Sequence, residues 1–364
     1  MERQTAKTLV SILLVTFLGT FFSAYVAFLI LQNETPTSPL SIWNRWDGPH
    51  YLTVAANGYR NVDQPRFMIV RLPVYPILIR LLQFTGLNPP TVALVVANLA
   101  YAIAAIYLFR LTSLDYPPAA ALKSVLYMSI FPTAYFLHAG YTESTFLALT
   151  IAAFYYARRG KWFTAGILGA VSSATRITGC LLLPALLVEY LDQSRLAKTK
   201  IKKDILYLAL MPLGLVFFLA TNYVIFRNPF QFISSLGEYW NTSLAPPWRG
   251  FLNTWNSMPI RPPSERIMVG YFEVLFAVVG LGASILCFIK VRRSYGVYMM
   301  LVWLVITSLS FWLSIPRYTL TMFPLFILLA LASRRPEWSY PLVFSSLLLY
   351  GTFLSNFVRG RWAF

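Results

Sequence analysis

Residues 9–31 read LVSILLVTFLGTFFSAYVAFLIL, an apolar run without a charged side chain. About 20 such residues, coiled as a helix, cross the hydrocarbon core of a bilayer. Arg3 and Lys7 stand just before the run. It is longer than the apolar part of a secretory leader and lacks a small-x-small cleavage pattern, so it reads as an uncleaved first span.

Working outward, the same pattern recurs. Apolar blocks occupy residues 91–111, 119–137, 144–156, 163–174, 177–190, 205–226, 267–289, 297–313, 320–332 and 341–354. With the first span they make about 11 membrane segments, several of them short. Of the 364 residues, 57% are hydrophobic and 12% charged, against about 25% charged in a soluble domain. Mean hydropathy is +0.60. These values exclude an ordinary cytosolic enzyme, a disordered chain and a fibre. Long apolar blocks, rather than alternation, argue against a membrane β-barrel. The expected fold is all-α: one polytopic helical bundle over residues 1–364, each span satisfying its own backbone hydrogen bonds. Cys180 and Cys287 both lie in apolar runs and suggest neither a disulfide framework nor a zinc site.

The net charge of +17 suggests nucleic acid at first sight. In a membrane protein it reads better as anchoring to anionic lipid, with no nucleic-acid partner. Lys7, Lys123, Lys161, Lys198, Lys200, Lys202, Lys203 and Lys290 are all the lysines of the chain. With the N-terminus inside, each falls near a cytoplasmic boundary, as do Arg158-Arg159, Arg292-Arg293 and Arg334-Arg335. The C-terminal residues are then outside. Two long external loops remain, about 32–90 and 227–266. Their basic charge is arginine alone, including Arg45, Arg60, Arg66, Arg71, Arg80 and Arg249. Arginine pairs bidentately with phosphate, although it also serves as an interfacial anchor. Residues 67–84, interrupted by Arg71, Pro73, Pro76 and Arg80, predict an interfacial or re-entrant helix. Asp63 and Glu265 read as solvated loop charges.

The most informative segment is Arg45-Trp46-Asp47-Gly48-Pro49-His50-Tyr51, just beyond the first span. Gly48-Pro49 forces a turn, and residues 50–57 form a short helix ended by Gly58. Asp47 near that helix's N-terminus is either a helix cap or a carboxylate kept ionised by the dipole and made more basic by partial desolvation. Arg176 is the second signal. Apolar residues flank it on both sides between two basic cytoplasmic stretches, so the chain must turn back with Arg176 near the tip of a hairpin. An arginine that deep needs a partner, such as Glu143, or a water-filled cavity. Glu273 enters a later span and could pair with an arginine. His138 reads as a buried histidine rather than a ligand. The stretch with Tyr239, Trp240, Trp248 and Trp255 reads mainly as an aromatic belt, with sugar or lipid stacking as the alternative. No Asp-x-Asp, phosphate-binding Gly-Lys loop or Gly-x-Ser-x-Gly elbow is present, so nucleotide-driven chemistry is unsupported.

The Arg-Trp-Asp-x-x-His-Tyr…Gly-Tyr pattern resembles the first external loop of the GPI mannosyltransferase II (PIG-V) family and its prokaryotic relatives. Those proteins are GT-C-fold glycosyltransferases that use polyprenyl-phosphate sugars. Three later segments are similar to the family's in the same order: Phe131-Pro132-Thr133-Ala134-Tyr135-Phe136…Tyr141-Thr142-Glu143-Ser144, Thr175-Arg176-Ile177-Thr178-Gly179, and Ser314-Ile315-Pro316-Arg317-Tyr318…Phe323-Pro324. The resemblance implies a hexosyl transfer, of mannose, from a polyprenyl-phosphate donor to a glycolipid or glycan acceptor, among membrane lipids and without cofactor or metal. It implies Asp47 as general base, with Arg317, Tyr318, Arg176 and Arg45 at the donor phosphate. Trp46, His50, Tyr51, Tyr141 and Glu143 would then line the acceptor or substrate side. The location implied is the plasma membrane in a prokaryote or the endoplasmic reticulum in a eukaryote, with or without a partner subunit. The competing class is a transporter or lipid flippase, which explains the spans and Arg176 equally well but calls for repeated halves with broken helices.

Overall fold

The computed structural model describes residues 3–61, 66–198 and 200–364, and Asp63 lies outside them. Its regular elements are helices; an isolated bridge between Leu244 and Leu309 is the one extended pairing among the described residues. In chain order the α-helices are α1 (Arg3–Gln32), α2 (Gly48–Asn57), α3 (Val74–Leu82), α4 (Pro89–Thr112), α5 (Pro118–Ser129), α6 (Glu143–Arg158), α7 (Trp162–Ser173), α8 (Leu182–Leu196), α9 (Leu213–Phe226), α10 (Gln231–Trp240), α11 (Pro247–Ser257), α12 (Pro263–Arg266), α13 (Phe272–Lys290), α14 (Arg293–Thr307), α15 (Ile315–Thr319), α16 (Pro324–Ala332) and α17 (Pro336–Val358).

Five continuous stretches are long and apolar enough to cross a membrane: Arg3–Gln32, Pro89–Thr112, Lys203–Phe226, Pro263–Lys290 and Pro336–Val358. The chain is an integral membrane protein. Val15, Leu18 and Phe22 of α1 point outward, while Thr20, Ala24 and Phe28 face the bundle. Lipid tails are as apolar as leucine, so such helices are held by close packing and by interhelical hydrogen bonds. Thr20 bonds Tyr350 of α17 at 2.6 Å, and Thr16 meets Tyr101 of α4 at 3.1 Å. Gly214 lets α9 lie directly on α7, where a Cβ would collide with the Ala170 carbonyl oxygen.

Three interruptions position the site. α5 ends at Ser129 and α6 begins at Glu143; the stretch between them, irregular apart from a 3₁₀ turn over Ala134–Leu137, is buried. Pro132 prevents the helix from continuing there. α7 ends at Ser173 and α8 starts at Leu182, with Arg176 extended between them. α14 ends at Thr307, and the short α15 follows before α16. Irregular backbone at this depth is tolerated only inside protein or beside a cavity. The three breaks carry Glu143, Arg176 and Arg317, and they converge beneath the loop that carries Asp47.

The region 67–84 is a 3₁₀ turn over Arg66–Val70 followed by α3, in keeping with a short non-spanning helix. Glu273 departs from expectation. No arginine among the described residues pairs with it; both its oxygens accept backbone N–H groups, of Ser314 and Ile315. Two free donors at a helix start give the buried carboxyl group hydrogen-bond partners in place of a guanidinium.

Candidate active site

Asp47 stands at the position preceding α2, yet its side chain makes no capping bond. It turns instead to two arginines. Oδ1 accepts from Arg71 Nη2 at 2.5 Å and Oδ2 from Arg317 Nη1 at 3.0 Å. Arg317 continues to Glu143, whose Oε1 accepts from its Nε at 2.5 Å. The same Oε1 accepts from Arg176 Nη1 at 2.7 Å. Arg176 also bonds Thr142 Oγ1 at 2.9 Å. The result is an alternating ladder, Arg71–Asp47–Arg317–Glu143–Arg176, with three cations for two anions.

The ladder is buried at one end and open at the other. Glu143 is fully buried, whereas the Asp47 side chain is 31% exposed. Glu143 Oε2 is buried and has no hydrogen-bond partner among the described residues. Aromatic rings line the guanidinium faces. Arg317 lies 4.7 Å from the ring centroids of both Phe136 and Tyr141. Arg176 lies 5.2 Å from Tyr318, and Arg71 lies 5.5 Å from Trp240. Such faces attract the cations and keep them partly dry, which strengthens their field.

The Asp47 carboxyl feels opposing influences. Burial alone would raise its pKa; the charges of Arg317 and Arg71 and their hydrogen bonds outweigh it and lower the value to about 2. The sequence reading of a carboxylate made more basic by desolvation is therefore corrected. Asp47 is ionised because two guanidinium groups hold it, and that grip makes it a weaker base. His50, 5.1 Å from the Phe67 ring, has its pKa lowered by burial and by Arg71, with Asp47 acting the other way.

Each residue singled out in the sequence has a definite place. Asp47, Glu143, Arg176 and Arg317 are brought together. Tyr141 donates to the Arg45 carbonyl at 2.7 Å and accepts from the Asp47 backbone N–H at 3.2 Å, so it braces the loop from below. Tyr51 is buried against Tyr75 and Tyr141. Trp46 is exposed, with a left-handed backbone (φ +50°), and its ring meets Trp362 at 5.4 Å. Arg45 is turned away from the ladder: its Nε bonds the Val358 carbonyl at 3.1 Å. His138 is buried and bonds Asn98 Oδ1 at 2.7 Å, as a structural histidine would. Arg71 was not singled out, although the sequence held the signal. It interrupts an apolar stretch just as Arg176 does, and an arginine there calls for a carboxylate partner.

A membrane bundle of broken helices, with an ionised carboxylate and surplus arginines at one end, defines a class. Archaeoglobus fulgidus oligosaccharyltransferase in its apo form has the same architecture, with a TM-score of 0.52 at 13% identity over 98% of this chain and 56% of that one. The fold is of GT-C type. Residues 31–232 match the family model described as Mannosyltransferase (PIG-V), and the chain belongs to that family. GPI alpha-1,6-mannosyltransferase 2 of Mus musculus is 33% identical over 157 residues, 40% of this chain and 31% of the mouse protein. Its counterpart in Rattus norvegicus is 31% identical over 149 residues, 37% of this chain and 29% of the rat protein. The aligned region thus amounts to less than a third of either relative's length.

Proposed function

We propose that the chain is an inverting membrane glycosyltransferase, of mannosyl specificity, acting on the external face. It takes the sugar from a polyprenyl-phosphate donor and gives it to a lipid-linked or glycan acceptor. The proposed topology has about 11 membrane segments in one domain, N-terminus inside and C-terminal residues outside. The observation that carries the reading is the Arg71–Asp47–Arg317 arrangement: an open carboxylate between two arginines, continued inward to Glu143 and Arg176.

In this reading Asp47 accepts the acceptor's hydroxyl proton as that oxygen attacks the anomeric carbon. The bond from that carbon to the phosphate oxygen breaks, and its electron pair leaves with the lipid phosphate. Arg317 and Arg176 stabilise the charge that develops there, with Tyr318 alongside. A phosphate that engages Arg317 or Arg71 competes for the guanidinium groups holding Asp47. Donor binding then restores basicity to the carboxylate at the step that needs it. Trp46 and His50 border the acceptor side.

The test compares wild-type and Asp47→Asn protein in lipid nanodiscs supplied with polyprenyl-phosphate mannose and a pool of glycolipid and glycan acceptors. Mass spectrometry follows polyprenyl phosphate release. Asp47-dependent release with a hexose mass gain on one acceptor is expected. Full activity of Asp47→Asn protein would remove the base assignment. Donor binding without release by the wild type would favour a transporter.

A further inference from the structure

Glu273 is a carboxylate inside a spanning helix. It is fully buried and, unlike Asp47 and Glu143, forms no ion pair among the described residues. An ionisable side chain in that setting is costly and is kept for a reason. Its oxygens accept the backbone N–H of Ser314 and of Ile315, each at 2.7 Å. Those two groups open the turn that carries Arg317.

The turn needs that support. Ser314 adopts a left-handed backbone at φ +67°, uncommon for a residue with a side chain. Such a conformation persists when the surroundings over-determine it. The first N–H groups of a helix have no partner within it. Pro316, next in line, has no N–H to satisfy. Glu273 therefore satisfies both donors that lead into the turn, while the Pro316 carbonyl is tied to Thr133 Oγ1 at 3.0 Å. From this anchored turn Arg317 reaches Asp47 on one side and Glu143 on the other. The π-helical turn Ile267–Tyr271 immediately precedes α13. Its wider winding resets the face that the next residues present, a device often found near functional sites.

We infer that Glu273 is a positioning residue, which fixes the Ser314–Arg317 turn so that the Arg317 guanidinium is aimed at the donor phosphate. The inference rests on the donor-binding role proposed for Arg317. It predicts that Glu273 acts on phosphate chiefly through Arg317.

The experiment is a double-mutant cycle in nanodiscs, with undecaprenyl phosphate as the probe for affinity and polyprenyl-phosphate mannose as donor for transfer. Glu273→Gln keeps the volume but turns an amide N–H₂ toward a backbone N–H. It is expected to weaken undecaprenyl-phosphate binding about ten-fold in protein that keeps Arg317. In an Arg317→Ala background it is expected to change binding little, because residues acting through one another are not additive. Adding Ser314→Gly should restore part of the lost affinity, since glycine adopts the left-handed turn without strain. If Glu273→Gln protein does not accumulate, Ser314→Val carries the same cycle by straining the turn with the carboxylate intact. Equal loss with and without Arg317 would overturn the inference and leave Glu273 a purely structural group. If wild-type protein binds no undecaprenyl phosphate and transfers no sugar, the reading of the whole site fails instead.

Discussion

Two carboxylate–arginine networks sit at opposite ends of the bundle, and they are built to different ends. At the end away from Asp47, Glu189 is fully buried. It accepts from Arg292 at 2.7 and 2.8 Å, from Ser294 at 2.7 Å and from Gln193 at 2.7 Å. Arg158 stands 3.4 Å from the same carboxylate and holds Asp115 bidentately at 2.7 Å. Every oxygen is used, and arginines and carboxylates balance. The network staples α6, α8 and α14, and closed neutral networks of this kind specify packing. The Asp47 network has surplus positive charge and a Glu143 oxygen without a partner among the described residues, although its outer carboxylate, 31% exposed, is scarcely more open than Asp115 at 30%. It stands on broken helices rather than on regular helix ends. A charge-balanced network has no cation left over for a ligand, whereas one with a surplus arginine is suited to an anion.

This contrast can be broken by substitutions at matched positions. Arg317→Ala is expected to have the largest effect. Transfer should fall about 10²–10³-fold, the range for losing one preorganised stabiliser of developing charge. The loss should appear in donor affinity as well as turnover. Unchanged donor affinity would remove the phosphate contact and erase the difference between the two ends.

Arg292→Ala should do the reverse. Removing one partner of buried Glu189 costs about 3 kcal/mol of stability, read as a lower melting temperature. Donor affinity in the surviving folded protein should match wild type. A selective loss of donor binding would show that the two ends are coupled.

The Asp47 pKa sharpens the comparison through pH. It is lowered in the folded protein to about 2, against about 3.9 for an unfolded aspartate. Between those values the unfolded state binds more protons, so the contribution of Asp47 is fully present above about pH 4 and is lost as pH falls toward 2. The melting-temperature difference between wild-type and Asp47→Asn protein should be flat from pH 5 to 8 and shrink below pH 4. A difference that changes near neutral pH would contradict the two-arginine grip.

The smallest effect is expected from Glu265→Ala. Glu265 is 53% exposed and lies 3.4 Å from Arg261, four residues earlier in the bend before α12. Stability should change by at most about 0.5 kcal/mol. A larger loss would mean that exposed pairs matter here as much as the two buried networks.

Much of the candidate site was legible because its chemistry is unusual for its surroundings. A lone Asp beside Arg-Trp and before Gly-Pro, and an arginine between apolar runs, both stand out in a chain with few charges. Arg71 carried the same signal and was hidden among the other loop arginines. Glu273 was recognised as needing a partner, but the partner is backbone. Sequence does not advertise which helix starts leave N–H groups unpaired. Arg45 shows the converse. It belongs to the motif, yet its guanidinium holds the carbonyl at the end of α17, far along the chain.

The sequence by itself determined the class of architecture, because uncharged apolar runs have one stable form in lipid and the backbone must pair within each span. It also determined that Asp47 and Arg176 require explanation, since isolated charges in such a chain are costly. Tertiary structure alone decided who pairs with whom. Asp47, Arg71, Glu143, Arg176 and Arg317 come from five separate segments, and a charge at short range in a low-dielectric interior is governed by distances of a few ångströms. Helical periodicity fixes faces and lengths, but only the folding of three broken helices against one loop sets those distances.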